Sequence, residues 1–341
     1  MTKTILIITD NLPEQINGVV TTYTNIEAHA ILDGYKFVVL HPGWFRYIDC
    51  PSYNEVKIAY PRNLGQKVKE INPDYIHIAT EGPLGLWGRK YLSLCNIMHN
   101  TAYHTKFPEG LKKLFGIPES ITWRFVRWFH KHSGKVLTTT DSMVAELKSH
   151  GFKGEVIPWT RGVDREIFNP TQRDEWHGQE TILLCVSRVS KEKNLDEFCK
   201  LDYPNSRKIM VGDGPDRVRL EKLYPDVEFV GFKTGLELAH YYANADVFVF
   251  PSRWETFGIV MIEAMACGTP VAAYPCQGPE DVVEQGVTGF LEQDLATAVH
   301  RCIGLDRAKV LEGSQKWSWQ RAWEIFRDNL VPVTSLSHNM R

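Results

Sequence analysis

The 341-residue chain has no apolar run approaching the roughly 20 residues that a membrane-spanning helix needs. Near its start only Ile5 to Ile8 form an unbroken apolar stretch, too short for a secretory leader. Its seven cysteines (50, 95, 185, 199, 267, 276 and 302) are odd in number, scattered and without Cys-x-x-Cys spacing. That argues against a disulfide framework or a zinc site and for a reducing, cytoplasmic setting. No Asp-x-Asp pair offers itself to a metal, so no metal site is expected. Neither a Gly-x-Gly-x-x-Gly nor a Walker loop is present, which argues against a dinucleotide or ATP. Internal repeats and low-complexity stretches are missing as well.

What is there is a soluble globular composition, 43% hydrophobic and 23% charged, with a length that suits about two domains. The net charge is −2 but uneven. Residues 1–165 carry 20 Lys and Arg against 15 Asp and Glu, net +5, while the remainder carries 19 against 26, net −7. A basic half suits an anionic partner; chance asymmetry over solvated faces explains it equally well.

Short β-branched runs alternate with helical patterns throughout. Strands are expected at 4–9, 36–40, 56–60, 75–79, 98–103, 135–139 and 155–159, then at 182–187, 208–212, 227–231, 246–251 and 270–274. Helices such as 82–95 and 142–150 separate them. Continuous apolar strands joined through helices imply parallel sheets covered on both faces. The expected fold is therefore α/β, with two doubly wound, Rossmann-like sheets facing across a cleft and ligands at the strands' carboxyl ends. The alternation breaks between Pro158 and Pro170. Domains are placed at 1–160 (acceptor side), 161–316 (nucleotide side) and 317–341, a helix with tryptophans at 317, 319 and 323 that packs back on the first domain, and a tail.

Several segments carry chemistry. In the stretch Phe250 to Ala264 a buried strand runs into a loop, and a helix opens near Gly258. Glycine there admits a ligand to the backbone, and the free N–H groups of a helix start suit a diphosphate. Glu255 in the loop and Glu263 on the helix can accept hydrogen bonds from two sets of sugar hydroxyls, one on a transferred sugar and one on a ribose. A pair of solvated glutamates beside a core helix is the plain alternative. Arg188 and Lys193 leave the carboxyl end of the strand ending at Ser187, where two cations would neutralise a departing diphosphate. Gly18, in Gln15 to Thr22, sits where a phosphate or sugar can approach. His104, in Asn100 to Thr105, ends a strand and points into the expected cleft. Gly212-Asp213 and Gly231 form tight turns that could wall a base, or be ordinary turns. The helix at 121–132 is aromatic and basic, as a helix on an anionic membrane or one packed in a core would be.

The ordered set resembles the family-four retaining glycosyltransferases of GT-B fold. It comprises Asn17-Gly18-Val19-Val20, Thr80-Glu81-Gly82-Pro83-Leu84-Gly85, Tyr103-His104-Thr105, Trp159-Thr160-Arg161-Gly162-Val163-Asp164 and the 255–263 segment. The likeness is greatest to the bacterial branch of α-mannosyltransferases and sulfoquinovosyltransferase-like enzymes, and covers nearly the whole chain. It implies transfer of a hexose, mannose or glucose in type, from a GDP- or UDP-linked donor to an acceptor hydroxyl, with retention and without metal or other cofactor. It assigns Glu255 to the donor sugar, Glu263 to the ribose, and the backbone of Phe257, Gly258 and Ile259 to sugar and phosphate. Arg188 and Lys193 fall on the diphosphate, Gly18 on the donor phosphate and His104 at the reacting centre. The acceptor is open between an anionic membrane lipid, a saccharide and nucleic acid, and the oligomeric state is open. A sugar-nucleotide epimerase of the same fold is the alternative enzyme.

Overall fold

The computed structural model describes residues 2–50, 53–104, 106, 108–110, 112, 116–174 and 180–333. Thr105 of the Tyr103–Thr105 motif and the tail at 334–341 lie outside them. The chain divides into two compact units, residues 1–161 with 319–341, and residues 162–318.

The first unit carries β1 (Thr4–Ile8), β2 (Lys36–Leu40), β3 (Tyr47–Cys50), β4 (Tyr53–Ala59), β5 (Tyr75–Ile78), β6 (Asn100–Tyr103), β7 (Lys135–Thr138) and β8 (Glu155–Pro158). Six of them form one parallel sheet in the order β2-β1-β5-β6-β7-β8. The second unit carries β9 (Thr181–Val186), β10 (Ser206–Val211), β11 (Val227–Gly231), β12 (Val247–Phe250), β13 (Val271–Ala273) and β14 (Gly289–Leu291). Its parallel sheet has the order β11-β10-β9-β12-β13-β14. Every residue of β1 and of β12 is buried, as their unbroken apolar sequences require of strands covered on both faces.

In each sheet the strand order reverses beside the first strand, between β1 and β5 and between β9 and β12. Right-handed crossovers send the helices that leave such neighbours to opposite faces, and the space between them at the carboxyl ends is where such sheets take ligands.

Two strands depart from expectation. The run at 56–60 belongs to no parallel sheet: β3 and β4 form an antiparallel ribbon with Tyr47 opposite Ala59. Only residues 51 and 52 separate them, and a parallel pairing needs a crossover of a dozen residues or more. The three-residue β14 is too short to stand out as an apolar run, and went unanticipated.

The closing helix, Trp319–Asp328, buries Trp319, Ala322, Trp323 and Phe326, the i, i+3, i+4, i+7 stripe of a helix with one covered face. It lies on the first unit, as expected. Trp323 Nε1 donates to Asp33 at 2.6 Å, and Arg327 pairs with the same carboxylate at 3.0 Å. Trp159 Nε1 donates to the carbonyl of Ala322 at 2.8 Å. Asn100 then bonds both the Asn329 carbonyl and the Val331 amide, each at 2.8 Å, fastening the chain beyond the helix to β6. Trp317 stays with the second unit, its ring edge-on to Phe257 at 5.3 Å.

Candidate functional site

In the second unit the loops after β9 and β12 leave adjacent strands at the point of reversal. Lys193 comes from the first loop and Glu255 from the second, and Lys193 Nζ donates to Glu255 Oε2 at 2.9 Å. Asn194, in the left-handed conformation that asparagine tolerates, donates to the carbonyl of Pro251 at 3.1 Å and ties the loops a second time. Both ionic groups are largely enclosed. Burial pushes the Glu255 carboxyl up, but the Lys193 charge and hydrogen bonds from Lys193, Thr256 and Phe257 outweigh it and hold the group below its usual value. The Glu255 charge, acting against burial, raises the Lys193 ammonium in turn. Arg188 lies close enough for its charge to be felt at Lys193. The structure thus brings Arg188, Lys193 and Glu255 together.

Gly258 precedes the helix Ile259–Ala266 with φ +82°. A side chain there would be strained, and its Cβ would stand 2.7 Å from the end of Met261. Phe257 is buried before it, while Ile259 and Glu263 stay partly exposed on the helix. Glu263 accepts a hydrogen bond from the buried Tyr242 hydroxyl at 3.0 Å. Burial raises this carboxyl to about 7, the Tyr242 bond offsetting only part of the effect. The two glutamates therefore differ in kind. Glu255 is a paired anion, whereas Glu263 sits near its titration point at neutral pH.

Gly212 follows β10 with φ +134°, and a Cβ there would fall 1.9 Å from the carbonyl of Ser187. Only glycine lets this turn lie against the Arg188 loop. Val189 N–H donates to the Asp213 carbonyl at 2.9 Å, and Gly212 N–H to the Gly231 carbonyl at 2.8 Å. Gly212 and Asp213 thus border the reversal, while Gly231 stands a strand further out. The Asp213 carboxylate accepts from Gly214 N–H at 2.7 Å and pairs with Arg217 at 3.2 Å.

In the first unit Asp10, after β1, meets the loop after β5. Its carboxylate accepts from the Thr80 hydroxyl and from Leu84 N–H, each at 2.6 Å, at the start of the helix Pro83–Leu94. Burial still pushes it up to about 6. Gly18 opens the helix Gly18–Leu32, where Asn17 Oδ1 accepts from the Val19 and Val20 amides at 3.0 Å each. His104 follows β6 and is buried, with Nδ1 2.9 Å from Arg161 and Nε2 3.1 Å from the Tyr23 hydroxyl. Burial, then the Arg161 charge, hold its pKa well below the usual histidine value. Glu81 lies 3.3 Å from His130.

Asp10, Tyr23, His77, Arg161 and Tyr242 were not singled out in the sequence. Asp10 and Arg161 carried a signal, one just beyond β1 and the other inside the Trp159–Asp164 motif. Tyr23, His77 and Tyr242 look like core residues until their partners are known.

The helix Glu119–His130 packs Trp123, Val126 and Phe129 inward and leaves Ile121, Arg124 and Trp128 exposed. Arg89, from the helix Pro83–Leu94, donates to the Trp128 and Phe129 carbonyls and stacks 3.8 Å from the Trp128 ring. That second helix exposes Trp87, Lys90 and Leu94. The basic, aromatic segment is thus core on one face and solvent-facing on the other.

Two family models match the chain: Glycosyltransferase Family 4 over residues 16–167 and Glycosyl transferases group 1 over residues 169–300. A GDP-mannose-dependent alpha-mannosyltransferase of Mycobacterium tuberculosis is 27% identical over 361 residues, spanning 96% of this chain and 95% of that one. The sulfoquinovosyl transferase SQD2 of Arabidopsis thaliana is 29% identical over 72% of this chain and 52% of its own length. Among solved structures, sucrose-phosphate synthase from Thermosynechococcus elongatus superposes with a TM-score of 0.75 at 20% identity, covering 96% of this chain and 94% of that one. Anabaena HepE in complex with UDP and glucose does so at 0.71 and 18% identity, covering 96% and 99%. Identities that low establish fold, whereas the family models and curated relatives carry the kinship. The chain belongs to the family-four glycosyltransferases of GT-B fold, in the branch of the GDP-mannose-dependent α-mannosyltransferases and the sulfoquinovosyl transferase.

Proposed function

We propose that this glycosyltransferase moves a hexose from a nucleoside-diphosphate donor, GDP-mannose before UDP-glucose, with retention and without a metal, to an acceptor at an anionic lipid surface. The observation that carries the donor reading is the enclosed Lys193–Glu255 pair at the β9/β12 reversal. A diphosphate arriving there meets Lys193 and Arg188, two fixed cations that neutralise the charge growing on the leaving group as the glycosidic bond breaks. Glu255, kept ionised by Lys193, accepts from hydroxyls of the sugar, and Glu263 accepts from the ribose diol. The extended match to GDP-mannose-dependent relatives puts GDP-mannose first.

The lipid-surface reading draws on the exposed face of the helix Glu119–His130 and its neighbour. Ile121 is 59% exposed, Trp128 47%, Trp87 47% and Leu94 75%, interleaved with Arg124 and Lys90. Apolar rings among cations suit a headgroup boundary.

Three outcomes follow. Lys193→Ala removes the cation and leaves Glu255 enclosed and unpaired. Turnover falls by about 100-fold or more, and the melting temperature drops. Adding Glu255→Gln restores the melting temperature but not the turnover. Full specific activity in a destabilised Lys193→Ala enzyme would mean that the pair is structural only.

The Glu263 carboxyl, raised to about 7, is ionised above that value and neutral below it. Ribose hydroxyls donate to the ionised form, so donor binding weakens by about tenfold between pH 8 and 6. In Glu263→Gln the titration is gone and affinity is flat over that range. Calorimetric titration with GDP-mannose, whose diphosphate diester does not titrate in that range, distinguishes the two, and an identical slope in both proteins would remove Glu263 from the site.

Vesicles of phosphatidylglycerol and phosphatidylcholine should sediment with the protein at low salt and release it as salt rises. Arg124→Glu with Trp128→Ala should abolish binding while hydrolysis of the donor persists. No binding at low salt would overturn the lipid-surface reading.

A further inference from the structure

His104 heads a row of buried polar contacts in the first unit. Arg161 Nη2 donates to His104 Nδ1 at 2.9 Å, and His104 Nε2 faces the Tyr23 hydroxyl at 3.1 Å. The same hydroxyl lies 2.7 Å from His77 Nε2. All four side chains are buried. A guanidinium offers only N–H groups, so His104 Nδ1 must carry a lone pair. The proton of the neutral ring then sits on Nε2, directed at the Tyr23 oxygen. Tyr23 passes its own hydrogen to His77 Nε2. One donor at the head of the row sets the direction of every bond after it.

Arg161 is an expensive residue to bury. Among the described residues no carboxylate pairs with it. Its other hydrogen bonds go to the Trp159 and Thr160 carbonyls at 2.8 and 3.0 Å, and its plane lies 4.6 Å from the Trp159 ring. Burial lowers it to about 10, which leaves it protonated at neutral pH. An enclosed cation without a counter-charge is destabilising, and a neutral amide could satisfy carbonyls. What an amide cannot supply is a group that only ever donates. The other titratable groups around His104 are Tyr23 from the first helix, His77 from β5 and His130 from the helix Glu119–His130, with Glu81 acting on Tyr23. Those histidines and Arg161 all disfavour a charged His104.

We propose that Arg161 is a positioning residue for sugar transfer: it holds His104 as a neutral ring, in one orientation, with the proton on Nε2. This rests on the reading of His104 as a residue of the reacting centre. The Nε2–H group, hydrogen-bonded to Tyr23 at 3.1 Å, is the donor that a substrate oxygen would share. A protonated or flipped ring would present a different polarity there. His104 so held is neither general acid nor general base.

The test combines nitrogen-15 NMR of the histidines in the full chain with pH profiles of turnover. In the wild type the His104 proton resides on Nε2 and stays there from pH 8 to 5.5. In Arg161→Met the tautomer is no longer fixed, and with the second of its two main depressing causes gone the ring's pKa rises from its low value. Turnover falls by about 10- to 100-fold with donor KM little changed, and the acid side of the pH profile moves to higher pH. Arg161→Lys, which still only donates, restores the tautomer and most of the turnover. A wild-type His104 with its proton on Nδ1 overturns the proposal even if Arg161→Met fails to fold. So does an Arg161→Met enzyme with unchanged turnover and pH profile, or a loss that Arg161→Lys leaves in place. If the wild type turns over no nucleotide sugar, the functional reading fails, and the NMR result still decides the role of Arg161.

Discussion

A parallel sheet whose strand order reverses beside its first strand leaves two neighbouring carboxyl ends with nothing crossing between them. Both units of this chain are built on that constraint. In the first, Asp10 after β1 reaches the loop after β5 and binds the start of its helix. In the second, Lys193 after β9 meets Glu255 after β12. The fastening differs in a way that matters for chemistry. Asp10 accepts from the Thr80 hydroxyl and the Leu84 and Gly85 amides, all on the segment that follows β5. Lys193 and Glu255 bond chiefly to each other and to the adjacent backbone, and both groups can be redirected to a ligand carrying phosphates and hydroxyls.

Enclosure then separates the roles of chemically similar groups. Glu255 and Glu263 lie eight residues apart, yet one is held anionic by a lysine and the other is raised to about 7 against a tyrosine hydroxyl. His104 and His77 are kept neutral by burial, the latter lowered to about 3. The contrast follows from which partner each group meets, since burial alone pushes carboxyls up and imidazoles down. Neither glutamate is arranged as an acid–base pair, and both suit the holding of hydroxyl groups.

Much of this was legible beforehand. Apolar strands alternating with helices are periodic over long stretches, so both sheets could be read from β-branched runs such as Ile5–Ile8 and Val247–Phe250. The glycine at 258, the Glu255–Glu263 spacing and the Arg188–Lys193 spacing each mark a strand's carboxyl end. The β3–β4 ribbon and β14 were not legible, because a two-residue connection and a three-residue strand leave no periodic trace. Nor were the partners of the site residues. Lys193 and Glu255 are 62 positions apart in sequence, and Arg161 and His104 are 57 apart. Contacts across such distances are set by strand order, which spacing does not encode. Trp317, read with the closing helix, packs instead on Phe257, since the helix begins two residues later.

The donor reading places a nucleoside-diphosphate sugar at the β9/β12 reversal. Thermal unfolding of the whole protein against GDP-mannose, UDP-glucose and the free nucleosides tests it most directly. A ligand present at 100 times its dissociation constant adds about 2.7 kcal/mol of stability, which is readily seen as a rise in melting temperature. Such a rise is expected with GDP-mannose or, failing that, UDP-glucose, little with guanosine or uridine, and its loss in Lys193→Ala with Glu255→Gln. A melting temperature indifferent to every nucleotide sugar, or an equal rise in that double variant, would contradict that reading.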